Sequence, residues 1–330
     1  MSRSPLAELV GLCRHLGKDL FLVQAGGGNI SVKTGKDSMI IKASGVRLSD
    51  VGARRGWAEA DVKGLREGLR KIAGLASAAG RDRTYAKLLT RIGKTSGRRV
   101  SMESGFHALL PDRVVAHVHS LAGVLLGFLP EAEVRKKIKH AMGGAIDVYL
   151  VPVCVPGADL TLRMRGRKRA DRPCLWILKN HGIVWGAQTA GEIRALSARF
   201  ERSFRYPFGL SRYGTPRWVK SGSGLFSWNV FRWPECRFDL KPLFPDFVVY
   251  FSLWGRGKID LLQTSPRSLK VAARDAKSFR TKSETLFAHA VVSTAAYRCG
   301  LPLRRLPRGI IRTIDRLETE RLRVKQAESA

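Results

Sequence analysis

Acidic residues are scarce in this chain: 27 Asp and Glu stand against 59 Lys and Arg in 330 residues, a net charge of +32. Such an excess favours anionic partners, whether phosphorylated metabolites, nucleic acid or an anionic membrane surface, and says nothing about fold. The basic side chains are spread along the chain, with concentrations at Arg135 to Lys139, Arg163 to Arg172 and Arg304 to Arg308. They lack the aromatic interleaving of a nucleic-acid recognition patch and read as a generally basic solvated surface, so only net charge would favour nucleic acid as a partner. Long apolar runs are missing too. None approaches the roughly 20 residues that span a bilayer, and the N-terminal segment lacks the pattern of a signal peptide. A soluble, cytoplasmic protein with no membrane partner is expected. Cysteine is thin: Cys13, Cys154, Cys174, Cys236 and Cys299 are odd in number, scattered and never in a CxxC pair. That argues against both a disulfide framework and a zinc knuckle, and leaves reduced, mostly buried thiols.

What is present supports a globular enzyme-sized core, as one large domain or two smaller ones, since 44% of the residues are hydrophobic. PLAELVGLCRHLG places Leu6, Leu9, Val10, Cys13 and Leu16 at helical spacing and predicts an amphipathic helix ending near Gly17. Short apolar segments at 20–24 and 39–42, separated by a Gly-rich turn and the KTGKD turn, read as a β-meander. Helices are expected around 60–75, 85–92 and 189–205, with another beginning near Leu121. Strands are expected at 113–119, at 148–155 broken by Pro152, at 175–178 and at 183–185. Residues 206–245 dissolve into Gly, Pro, Trp and Arg and read as an irregular cap or linker. Beyond them FVVYFSLW reads as an apolar strand, and two or three helices close the chain, with Ser265-Pro266 as a helix start. There is no internal repeat.

Two of only 7 histidines lie one residue apart in RVVAHVHSLAG. Alternation along a strand points His117 and His119 the same way, as a metal-ligand pair or by coincidence. Catalytic zinc usually takes three protein ligands and keeps an open position. A third candidate is His181 in LWILKNHGIVWG, where a strand runs into a tight turn and Gly182 is free to adopt positive φ. Upstream, VSMESGFHALLPDRVV sets Glu103 just before a short helix that leads into the histidine strand. A carboxylate beside a divalent metal serves as ligand, as general base, or as both. Each motif alone has an ordinary explanation as a structural pair, a turn or a helix N-terminal acid, and His107 reads as a packed or capping residue. AGGGNISVK fits neither a P-loop nor the dinucleotide fingerprint, because ISVK alternates as a strand and opens no helix. Its glycines, Asn29 and Ser31 still offer donors to an anion, and KASGVR presents a second such turn.

In the order GGGNIS, ASG, SMESGFH, AHVHS and NHG, these pieces resemble the class II aldolase/adducin family. The resemblance implies an α/β fold, with a three-layer α/β/α domain over residues 1–205 and a central, mostly antiparallel sheet. A smaller region over 206–330, an irregular cap, a strand and C-terminal helices, would pack on it. Carried over by motif, Asn29, Ser44, Gly45 and Ser101 become phosphate contacts, with Gly28 and Ser31 in the same substrate-binding motif. His117, His119 and His181 become ligands of Zn2+ or another divalent transition metal, and Glu103 a ligand that doubles as catalytic base. The implied reaction is reversible cleavage of a ketose 1-phosphate to dihydroxyacetone phosphate and an aldehyde, through an enediolate stabilised by zinc, in a cytoplasmic homo-oligomer. Epimerases and decarboxylases of the family use the same cage, and adducin-like members keep the fold without the ligands. LFPDFVVYF and RLPRGIIRTIDRLETERLR look like the aldolase part of bifunctional rhamnulose-phosphate aldolase/dehydrogenase proteins, whose dehydrogenase part is not expected here. Met102 departs from the family, whose sugar-phosphate aldolases often carry Ser there, and the family's proton-donating tyrosine has no motif that places it.

Overall fold

Ser4 starts the first helix by accepting a hydrogen bond from the Ala7 N–H at 3.3 Å, and Pro5 occupies the first turn, where its missing N–H costs nothing. The computed structural model describes residues 4–95, 98–167, 170–214, 219–221, 227–232, 241–251, 261–265, 268–273, 275–317 and Glu320. In chain order the elements are α1 (Pro5–Gly17), β1 (Asn29–Lys33), β2 (Ser38–Lys42), β3 (Trp57–Asp61), α2 (Val62–Ala73), α3 (Ala78–Ile92) and α4 (Ser104–Leu109). There follow β4 (Val114–Val118), α5 (Leu121–Leu126), α6 (Glu131–Met142), β5 (Asp147–Val151), α7 (Ala158–Arg163), β6 (Cys174–Leu178), β7 (Gly182–Ala187) and α8 (Ala190–Arg205). The remainder comprises β8 (Val219–Ser221), β9 (Ser227–Arg232), α9 (Pro245–Tyr250), β10 (Leu261–Ser265), β11 (Ser268–Ala273), α10 (Ala276–Arg298) and α11 (Arg308–Arg316).

A seven-stranded sheet runs β3-β2-β1-β4-β7-β6-β5, antiparallel throughout except for the parallel β5–β6 pair. Side-chain alternation sorts its strands onto two cores. Val114, Ala116 and Val118 of β4 join α1, α5, α6 and α8 on one face, whereas Val115 joins Phe106 of α4 and Leu160 of α7 on the other. Helices α2 and α3 cover the β2 and β3 end of that second face. Helix α10, buried from Ser283 to Ala296, extends the first core through Leu286, Phe287 and Val291. The result is the expected α/β/α sandwich with a mostly antiparallel sheet.

Several local expectations fail for identifiable reasons. Residues 20–24 form turns in place of a strand, because the Asp19 backbone carbonyl accepts from the N–H groups of Leu22 and Val23 and its side chain from Phe21. The strand predicted to reach residue 155 ends at Val151, before Pro152. The FVVYF run is helix α9, since an apolar run of this length suits a buried helix as well as a strand, and here Phe247 and Phe251 stack one turn apart at 5.0 Å. The stretch read as an irregular cap contains strands, and β8, β9, β10 and β11 build a four-stranded antiparallel sheet in the order β10-β11-β9-β8. Ser265 therefore ends a strand, and the last long helix starts later, at Ala276, capped by Asp275. Pro266, Ser252 to Trp254 and Cys236 lie outside the described residues. Among the described cysteines all are free, with Cys13 and Cys174 buried and Cys299 exposed. No helix among the described residues is long and apolar enough to cross a membrane.

Candidate metal centre

Strand pairing decides which side chains meet. Antiparallel β1 and β4 set Asn29 opposite His117, and antiparallel β4 and β7 set His117 opposite Val184, beside the turn that carries His181. His119 lies just past the end of β4. Between β6 and β7 the chain reverses over Lys179 to His181, with Asn180 at φ 62° and Gly182 at φ 141°. A Cβ on Gly182 would lie 2.3 Å from the Val118 carbonyl oxygen, so only glycine lets the turn close against β4. Pairing and turn together bring the ligand nitrogens of His117, His119 and His181 within 4.8 Å of one another.

Glu103 sits at the N-cap of α4, whose first turn is fixed when the Gly105 N–H donates to the Tyr85 hydroxyl at 2.9 Å. Its carboxylate faces the histidines: Oε2 is 3.6 Å from His117 Nε2 and Oε1 is 3.6 Å from His181 Nε2. Asn29 Nδ2 donates to Oε2 at 2.6 Å, which leaves Asn29 Oδ1 to accept from His107 Nε2–H, and His107 Nδ1 then accepts from the Ser31 hydroxyl at 2.8 Å. Burial alone would raise the Glu103 carboxyl, but the facing His117, His181 and His119 rings and the Asn29 amide outweigh it and bring it to about 2. Burial also pushes down the imidazoles of His117, His181 and His107, His181 to about 3 and His107 well below the ordinary histidine range. At neutral pH the site thus sets an ionised Glu103 carboxylate against neutral His117 and His181 rings. Its His117 Nε2 and Glu103 Oε1 are buried without a hydrogen bond among the described residues. Imidazole nitrogens with a carboxylate fit a divalent transition metal, which would satisfy both orphaned atoms.

Gly28, Asn29, Ser44, Gly45, Ser101 and Glu103 line one small cavity of about 20 Å³ together with His119 and His181. His117 is fully buried beneath it. Ser31 is the exception, with its hydroxyl turned away to His107. Gly28, at φ 66°, could not carry a side chain, because a Cβ would lie 2.9 Å from the His117 carbonyl oxygen.

A family model described as Class II Aldolase and Adducin N-terminal domain matches residues 7–207. The chain belongs to this family. Among solved structures, the N-terminal class II aldolase domain of a conserved protein from Thermoplasma acidophilum is 24% identical at a TM-score of 0.50. The match covers 61% of this chain and 94% of that one, and it shows the shared fold. An L-fuculose 1-phosphate aldolase is 21% identical, with a TM-score of 0.43 over 66% of this chain and 91% of that one. The l-fuculose-1-phosphate aldolase of Thermus thermophilus is 20% identical, with a TM-score of 0.40 over 63% of this chain and 100% of that one. No curated protein matches the chain.

For this class II aldolase family member, several residues around the site carry little or no sequence signal. His107, expected as packing, links Ser31 to Asn29 and so steadies the group that holds Glu103. Lys42 is buried, and its ammonium donates to the carbonyls of Gly26 and Val46 at 2.8 Å each, tying the Gly-rich loop to the ASG turn. A lysine closing the apolar strand SMIIK was the available hint. Glu284 of α10 accepts from the Ala25 N–H at 2.7 Å and pairs with Arg47, and Asp246 of α9 lies 3.4 Å from His119. Nothing local marks either acid.

Proposed function

We propose that the chain is a class II, zinc-dependent aldehyde-lyase that reversibly cleaves a ketose 1-phosphate or related sugar to dihydroxyacetone phosphate and an aldehyde. The observation that carries the reading is the convergence of His117, His119 and His181 with an ionised Glu103 in one buried cluster. In this reading these four residues hold the metal, which supplies a Lewis acid for the negative charge that develops beside the carbonyl as the carbon–carbon bond breaks. Glu103 moves the proton at the reacting carbon. Its Oε2 is held by Asn29, so its Oε1, the oxygen the metal would otherwise engage, accepts the proton in turn, when free of the ion. Asn29, Ser44, Gly45 and Ser101 bind the phosphate with Gly28, whose missing side chain keeps the loop close. Lys42 adds positive charge behind that loop, and the +32 of the chain attracts an anionic substrate. Ser31 supports the site through His107 and leaves substrate contact to its neighbours. We place the enzyme in the cytoplasm, as a homo-oligomer.

The test is metal content of nuclease-treated protein beside its His119→Ala variant, followed by dihydroxyacetone phosphate release from ketose 1-phosphates. About one zinc or similar ion per parent chain is expected, with little in the variant and turnover in the parent alone. Absence of metal from both after reconstitution overturns the reading in favour of an adducin-like binding protein.

A further inference from the structure

We infer that Asp246 is a positioning residue of the metal centre: its carboxylate stands to accept a hydrogen bond from His119 Nδ1–H, which leaves that ring's lone pair on Nε2 for the metal. The inference rests on the metal-dependent reading above. Asp246 comes from α9, beyond the stretch matched by the family model, yet its Oδ2 lies 3.4 Å from His119 Nδ1 and both side chains are buried. His117 shows the same division of labour, since its Nδ1 donates to the Ile183 carbonyl at 2.9 Å and its Nε2 faces the cluster. A carboxylate in the corresponding place on His119 fixes the tautomer and strengthens the donor nitrogen. The space for this arrangement is reserved by Gly27, where a Cβ would lie 2.5 Å from His119 Nδ1.

Charge is of the right sign: Glu103 beside His117 and His181 and Asp246 beside His119 set two carboxylates around the three rings, in a cavity that Lys42 and Glu320 also line. The helix that carries Asp246 is held in place from two directions. Phe247 stacks on His289 of α10 with ring centroids 4.0 Å apart. Asn180, next to His181, donates to the Leu243 carbonyl at 2.8 Å and to the Arg304 carbonyl at 2.5 Å. Asp246 and His181 are therefore tied to one another through backbone, as a positioning residue requires.

Zinc affinity of parent and Asp246→Asn, measured on metal-free protein by competition with a chelating indicator, tests the assignment beside melting of the two metal-free forms. The variant should bind zinc about 10- to 100-fold more weakly while its metal-free melting temperature stays at the parent value. Equal affinity, or a loss matched by a lower melting temperature, overturns the assignment. If the variant does not fold, imidazole 15N shifts of the zinc-loaded parent decide: protonation of His119 at Nδ1 supports it, and zinc on Nδ1 overturns it. A parent that takes up no zinc removes the metal-dependent reading and this inference together, whereas undiminished binding by the variant removes this inference alone.

Discussion

The stretch matched by the family, residues 7–207, and the described residues from 241 onward serve the same site in different ways. The first carries every proposed ligand on strand ends and tight turns: His117 in β4, His119 just beyond it, His181 before β7 and Glu103 before α4. The second supplies Asp246 beside His119, Glu284 beneath the Gly-rich loop, and the carbonyls of Leu243 and Arg304 that hold Asn180. The proposed ligands sit at the ends and turns of paired elements, so local geometry fixes each of them even though His181 follows His119 by 62 residues. Residues that hold them in place arrive by packing from far along the chain, Glu284 standing 259 residues from the Ala25 N–H it binds.

Four changes put that division of labour at risk. Glu103→Gln keeps the size of the side chain but removes the base, and we expect turnover to fall about 10²- to 10⁴-fold with the fold retained. Unchanged kinetics would remove Glu103 from its role. Gly182→Ala acts on backbone alone, forcing a Cβ towards the Val118 carbonyl at a φ of 141°. A loss of about 2–5 kcal/mol in denaturant unfolding should accompany weaker metal retention, and an unperturbed variant would show that the turn tolerates a side chain after all.

Lowering the pH of the metal-free protein probes the matched stretch by itself. His181 titrates near 6.5 when unfolded but at about 3 when folded, because burial opposes its charge. Between those values the unfolded chain binds more protons, so stability is complete above the unfolded value and falls as pH drops from 6.5 towards 3. The depressed Glu103 adds a loss of the same sign as pH falls from 4.5 to about 2. Unfolding midpoints that do not change across this range would contradict the neutral buried cage. The smallest effect is expected for Asn180→Gly, which keeps the left-handed turn permissive and removes only the two bonds to the C-terminal region. About 1–3 kcal/mol of stability should be lost, with the metal still bound. Loss of metal as well would mean that the C-terminal region holds the cage together as well as supporting it.

Much of this was legible beforehand. The α1 helix, the alternation of β4 and the Thr189-capped α8 follow from periodicity and caps, and the histidines were found because a two-residue repeat in a strand has one geometric meaning. The failures share a cause. An apolar run such as FVVYF carries no period, and Leu20 to Gln24 looked like a strand until Asp19 claimed its N–H groups. The hydrogen bond between Ser31 and His107 had no such signal either, since it depends on which ring packs beneath the strand.

Spacing along a backbone with fixed periods was enough to announce most strands and turns of the matched stretch and to put His117 and His119 on one side of a strand, whereas pairing of β4 with β7 brought His181 to them. What surrounds that cluster came from packing alone: the Ser31–His107–Asn29 chain, the buried Lys42 and the acids of α9 and α10. These contacts join segments whose separation along the chain bears no relation to their distance in space, and the way the helices seat on the two faces of the sheet sets that distance.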